Sequence, residues 1–223
     1  DINEDWLVKA FTGKQKQQFE TYGAIIKGIN VEGFIGSKKE GQNWALSPGF
    51  GAVAKTLDDD LMRTVVSTVN TYSVVDSIGA KYNTYAFSLY NTLNAGKFSW
   101  YVEGAYKTSE QFFDPLAVKT NRDGSTSEGK LVFDNGTVVY TSLSYADKGF
   151  GITLEAKRTE NFSFRASPFV TGNQGAINFL PPMTRFNTYR LTTRYQAATQ
   201  ELGENAYQAD LQYAFNRKFQ IGL

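Results

Sequence analysis

Phe150-Gly151-Ile152-Thr153-Leu154-Glu155-Ala156-Lys157 alternates from end to end. Phe150, Ile152, Leu154 and Ala156 fall on one side, and Gly151, Thr153, Glu155 and Lys157 on the other. A period of two is that of an extended strand, because successive Cβ atoms point to opposite faces. The apolar side carries no charge, and both charges lie opposite. Three more stretches repeat the pattern. In Phe98–Lys107, Phe98, Trp100, Val102, Gly104 and Tyr106 oppose Ser99, Tyr101, Glu103, Ala105 and Lys107. In Tyr207–Phe215, Tyr207, Ala209, Leu211, Tyr213 and Phe215 oppose Gln208, Asp210, Gln212 and Ala214. In Tyr189–Tyr195, Tyr189, Leu191, Thr193 and Tyr195 oppose Arg190, Thr192 and Arg194.

Working outward, Trp6–Gly13, Gly23–Gly36, Gly49–Lys55, Met62–Val69, Ile78–Asn94 and Thr137–Ala146 also read as extended, being rich in Val, Ile, Thr, Tyr and Phe. Phe219–Leu223 starts another strand, for about eleven in all. Helical period is nearly absent. The links are of two kinds. Asn94-Ala95-Gly96-Lys97 and Ala146-Asp147-Lys148-Gly149 read as tight hairpin turns, and Leu57–Asp60 as a third short link. Long polar loops are expected near 37–48, 108–136 and 167–185, with Asp134-Asn135-Gly136 a hairpin tip within or beside the second. Successive links of a meander lie at opposite ends of the sheet. The short links from residue 78 onward therefore share one end and the long ones the other, with Asn216-Arg217-Lys218 the exception. Short turns at one end and long loops at the other are the habit of outer-membrane barrels.

Composition narrows the chemistry. The 223 residues hold 23 Lys plus Arg against 22 Asp plus Glu, with no Cys and no His. A balanced charge gives no field that would draw nucleic acid. Thiolate and imidazole metal sites, disulfides, Cys nucleophiles and His-dependent triads are all excluded, and with them the usual lipases, proteases and acyl transferases of the outer membrane. No cofactor is expected. No apolar run is long enough to span a bilayer as a helix, and Asp1–Asp5 does not read as a signal peptide. The chain is thus cytosolic, mature after cleavage, or a piece of something longer.

Alternation alone fits a soluble sandwich as well as a membrane barrel. What separates them is the chemistry of the two faces. A barrel meets lipid with its apolar face, which must be uncharged and ringed by aromatics at both interfaces. Phe98, Trp100, Tyr106, Phe150, Tyr189, Tyr195, Tyr207, Tyr213 and Phe215 fit such girdles. Glu32, Glu103, Lys107, Glu155, Lys157, Arg190, Arg194 and Asp210 fall on polar faces. They either line a lumen and set its ion preference, or fill a narrow barrel with ion-pair ladders. Spanning strands need about 9–11 residues, against about 5–6 in soluble sheets. Several of these segments are long enough.

The expectation is therefore an all-β, antiparallel, up-and-down transmembrane β-barrel, one domain over residues 1–223, set in bacterial outer-membrane lipid. It acts without catalysis, as a porin-like conduit or a structural subunit of a membrane protein complex. The alternative is a secreted, soluble β-sandwich that binds carbohydrate or protein. A final strand of five residues is too short to span, which suggests part of a larger barrel.

Other constellations are weaker. Asp58-Asp59-Asp60 offers oxygen ligands for Ca²⁺ but reads more simply as a solvated turn. The inward acids Glu103 and Glu155 are candidates for a glycosidase pair, but nothing in the sequence sets their separation. The loop aromatics Trp44, Phe112, Phe113, Phe169 and Phe179 could grip sugars or a partner protein but read more simply as packing over the barrel mouth, with Phe112, Phe113 and Phe179 the first candidates for touching a partner.

The opening Trp6-Leu7-Val8-Lys9-Ala10-Phe11-Thr12-Gly13-Lys14-Gln15-Lys16-Gln17-Gln18-Phe19, leading into Gly28–Gly33, resembles uncharacterised porin-like outer-membrane β-barrels of Bacteroidota. So do the aromatic strands Tyr85–Asn91 and Ser99–Tyr106. The resemblance implies an outer-membrane location and, for some such barrels, a place beside other outer-membrane or periplasmic proteins in an envelope machine such as the type IX secretion system. It implies no catalytic residues.

Overall fold

The computed structural model describes residues 5–17, 19–36, 43–172, 174–178, 180, 200–216 and 219–222. In chain order the elements are β1 (Trp6–Gly13), β2 (Ile25–Gly33), β3 (Ile35–Gly36), β4 (Trp44–Thr56), α1 (Asp59–Val69), β5 (Asn83–Ala95), β6 (Phe98–Asp114), β7 (Lys119–Thr120), β8 (Thr126–Ser127), β9 (Lys130–Asp147), β10 (Phe150–Glu160), β11 (Gly203–Asn216) and β12 (Phe219–Gly222). One antiparallel sheet runs β1-β2-β4-β5-β6-β9-β10-β11-β12, with β3 folded back on β4. β7 and β8 pair apart from it. Each main strand pairs with the next in chain order, as the meander reading expects. Among the described residues the path begins at β1 and ends at β12, and no pair joins those two.

The central strands are long, at 13 residues for β4 and β5, 17 for β6 and 18 for β9. Two hairpins hold the order. The β9–β10 turn places Lys148 at φ 43° and Gly149 at φ 85°. Two left-handed residues in a row make the primed turn that matches strand twist. Ala214 donates its N–H to Gly149 O at 2.8 Å. The β11–β12 link therefore lies at the end that carries links 96–97 and 148–149, not at the long-loop end expected for Asn216–Lys218. That expectation counted Tyr189–Tyr195 as an intervening strand. It lies outside the described residues, and β10 pairs with β11 directly.

Three other expectations change. Met62–Val69 is helical, not extended. Asp58 accepts the Leu61 N–H at 2.9 Å and caps the first turn, while Met62, Val65 and Val69 fall on one buried stripe. Asp58–Asp60 is thus a helix start rather than a loose turn. Asp134–Gly136 is no hairpin tip. It lies inside β9, where the register with β6 shifts between Lys107↔Gly136 and Glu110↔Asp134. This is a bulge, which bends a strand and re-aims its side chains. Finally, β10 runs past the expected Lys157 and stops at Glu160, because Asn161 turns the chain at φ 48°.

The core lies at the long-link end of the sheet. Ala24, Leu57, Met62, Val65, Val69, Tyr72, Leu131 and Ala166 pack there, with Tyr22, Ile78, Phe113 and Phe169 against them. Around α1, the chain is tied by Ser73 N–H to Thr120 O at 2.8 Å and Arg122 N–H to Thr71 O at 3.0 Å. Leu131 donates its N–H to the Tyr72 hydroxyl at 2.9 Å. Burial pushes that phenol above its ordinary pKa, and the Leu131 bond pulls the other way. Asp76 accepts the Thr120 N–H at 2.8 Å, which holds its carboxyl below the usual range, with Lys119 adding to the effect.

Candidate functional site

Cross-strand partners share a face, so register assigns every position. One line runs Lys9–Asn30–Gly51–Ser88–Ala105–Val138–Thr159 from β1 to β10. The next, toward the short-link end, runs Leu7–Glu32–Gly49–Tyr90–Glu103–Tyr140–Lys157–Ala206. Glu155 pairs with Gln208 and Thr153 with Asp210 on the same face. Glu32, Glu103, Lys107, Glu155, Lys157 and Asp210 therefore share the inner face, as alternation predicts. Arg190 and Arg194 lie outside the described residues.

The inner face is covered at its long-link end by the segment after β10. Phe162 and Phe164 are buried on it. Lys107 Nζ donates to Ser163 O at 2.9 Å, and Lys55 Nζ to Arg165 O at 2.9 Å. Both ammonium groups also reach Glu110. Lys107 does so at 3.0 Å on Oε1, and Lys55 does so on Oε2, where Thr84 Oγ1 also donates at 3.1 Å. All four side chains are buried. Arg165 in turn donates to Gln174 O at 2.8 Å and to Glu201 at 2.6 Å, and Lys157 pairs with Glu204 at 3.1 Å. Hydrogen bonds from two buried ammonium groups thus pin a plug of non-strand chain to the sheet. Lys107 anchors this segment, whereas Lys157 pairs within the sheet, with Glu204 of β11.

Toward the short-link end the inner face carries the acids Glu32, Glu103, Glu155 and Asp210 beside Lys157. Tyr101 donates to Glu103 at 2.6 Å and Tyr140 to Glu155 at 2.8 Å. Glu103 and Glu155 are each engaged by a phenol. Among the described residues no cluster of metal-ligating side chains is present. Beneath the plug a cavity of about 480 Å³ remains, lined by Lys9, Phe11, Val53, Ser88, Glu103, Ala105, Val138, Phe162 and Phe164 among others.

The other face is its opposite. Phe98, Trp100, Tyr106, Tyr207 and Tyr213 are exposed on it and Phe150 is half-buried. Phe215 shares their strand, and of its side chain nothing is described; Tyr189 and Tyr195 lie outside the described residues. The outer-face charges of the shared register are Lys27, Asp147, Arg158 and Glu160, each within three residues of a strand end. Asp147 meets Lys97 across the two hairpin turns at 2.6 Å.

Two partner-contact expectations fail on burial. Phe112 is inside β6, only 4% exposed, with the Lys107 ammonium 4.7 Å from its ring centroid. Phe113 packs against the core. Both were placed in a loop because the strand extension beyond the bulge breaks the alternation. Phe179 is outside the described residues. Lys55, Glu110, Arg165, Glu201 and Glu204 are site residues that pattern reading did not single out. Lys55 closes a clean alternating run, and that was their one visible signal.

A family model described as "Family of unknown function (DUF6029)" matches residues 2–223, and the chain belongs to that family. No curated protein and no solved structure matches it.

Proposed function

We propose that this DUF6029 member is a non-enzymatic outer-membrane β-barrel protein, with its inner face enclosed and filled at one end by its own chain. The observation that carries the reading is the division of the sheet into two unlike faces. The aromatic side, which carries charge only near strand ends, is exposed, and Leu154, at mid-strand, is 45% open. The side bearing most of the charges is covered at its long-link end by the plug. A water-soluble sheet does the reverse, because burying unpaired charge while exposing a broad apolar surface is unfavourable on both counts. The main strands β4, β5, β6, β9, β10 and β11, at 11 to 18 residues, also meet or exceed the roughly 9–11 that spanning requires. An open edge in lipid leaves backbone groups unpaired, so the reading requires β1 and β12 to be paired when the protein is in the membrane.

Within the two expected roles, the pinned plug favours a structural subunit over an open conduit. The bacterial phylum and a place in an envelope machine rest on the resemblance of Trp6–Phe19 and the aromatic strands alone. The test is flotation of the refolded chain with phospholipid vesicles, followed by alkaline carbonate extraction. The expected result is retention in the floated membrane fraction. A chain that remains monodisperse in buffer and ignores vesicles overturns the proposal. Planar-bilayer recording then separates the roles, and the expected result is no steady current.

A further inference from the structure

The cavity under the plug has a composition that selects a ligand. Its floor is made of small side chains on neighbouring strands, Gly51, Ser88 and Ala105, which leave room that Phe162 and Phe164 roof without filling. At about 480 Å³ it lies in the range of small-molecule sites, about 300–1,000 Å³. Most of its lining is apolar, so water is poorly held there and an apolar body is favoured.

Its polar groups are mostly spoken for. Asn178 accepts the Phe164 N–H at 3.3 Å and donates to Phe162 O at 3.2 Å. Asn30 accepts from the Tyr90 hydroxyl at 3.0 Å, Tyr140 donates to Glu155, and Lys157 pairs with Glu204. Lys9 differs: among the described residues its ammonium has no ion-pair or hydrogen-bond partner, and it lies at the β1 side of the cavity. Glu103, the acid in the lining, sits four strands away, about 19 Å along the sheet. No ion pair joins the two among the described residues, and Glu103 takes the Tyr101 hydroxyl instead.

We infer that this cavity binds a small amphiphile with an aliphatic body and one anionic head, the head on Lys9 and the body over Gly51, Ser88 and Ala105. The inference rests on the reading of the inner face as enclosed.

The test is equilibrium binding of radiolabelled decanoate to the full chain in nanodiscs, with empty nanodiscs subtracted and decanol and decylamine compared. Saturable binding in the order decanoate, decanol, decylamine is expected. Lys9→Met should erase the preference for decanoate over decanol, about tenfold for one charge-assisted contact. Ala105→Phe, which fills the floor, should abolish saturable binding, with Ser88→Leu as a second filling variant should the first fail to fold. Absence of saturable binding to the wild type, undiminished binding in a folded filled variant, or a decanoate preference that survives Lys9→Met each overturns the inference. Should the chain prove soluble, the membrane reading fails by itself, and the same titration in buffer still decides this one.

Discussion

Lys107 Nζ lies 3.0 Å from Glu110 Oε1, with the two side chains only 0% and 1% exposed. Glu110 also takes the ammonium of Lys55, so one carboxylate serves two buried cations. A second donor of each lysine goes to a plug carbonyl, at residue 163 for Lys107 and 165 for Lys55. Removing Glu110 strands both charges. Glu110→Leu is expected to lower unfolding free energy by about 3–5 kcal/mol, the range for breaking a buried pair from one side. Adding Lys55→Met and Lys107→Met should restore much of it. Urea midpoints of the single and triple variants check this.

The two faces of β10 give a cleaner test of environment. Leu154 points outward at mid-strand, between Leu143 and Ala209 on the neighbouring strands. Leu154→Arg should cost about 2–4 kcal/mol if that face meets the bilayer midplane. In water the same exposed substitution stays within about 0.5 kcal/mol. Folding equilibria in vesicles measure the difference, and a near-zero value would remove the lipid from the account.

Asp58 holds the start of α1 through the Leu61 N–H at 2.9 Å. Asp58→Ala is expected to lose about 1 kcal/mol of stability, within the range for an N-cap replaced by alanine. Increased amide exchange confined to the first turn of α1 is the accompanying signature.

This cap also shows where reading by pattern stopped. Phe98–Lys107, Phe150–Lys157 and Tyr207–Phe215 were legible as strands because period two is dictated by the pleat itself. The stretch Met62–Val69 was misread because Thr64, Val65, Val66, Thr68 and Val69 are β-branched and favour strands in isolation. Burial of Met62, Val65 and Val69 against Leu57 and Leu131 outweighs that weak preference. The plug was hidden differently. Phe162-Ser163-Phe164-Arg165 keeps alternating past Glu160, and only the left-handed turn at Asn161 takes it out of the sheet. Lys55 and Glu110 are 55 residues apart, and it is the long-range register of β4, β5 and β6 that brings them together.

At Asp76 the sign of the pH effect is set by its hydrogen bonds. The folded carboxyl titrates below its unfolded value because Thr120 bonds the charged form. Its contribution is therefore fully present above the unfolded value of about 4, and is lost as pH falls through the lower folded value. The contact between residues 73–76 and β7 should loosen in that acid window. Amide protection at Thr120, compared between wild type and Asp76→Asn, checks this; the variant should show weak protection with little pH dependence.

Gly136 decides whether the plug can sit where it does. A Cβ added there would stand 2.4 Å from Asn161 O and 3.0 Å from Phe162 Cα, both backbone atoms that cannot swing aside. Gly136→Val therefore forces the chain after β10 away from the sheet while leaving the Lys55–Glu110–Lys107 cluster in sequence. The carbonyls of Ser163 and Arg165 then leave the two lysines, and Arg165, 7% exposed in the native protein, becomes reachable. Trypsin should cleave at Arg165 in the variant and spare it in the wild type. If the plug alone keeps the lumen shut, the same variant should carry steady current across a planar bilayer that the wild type does not. Cleavage without current would mean that other parts of the chain fill the lumen too, and resistance to trypsin would mean that the sheet, not the plug, has yielded.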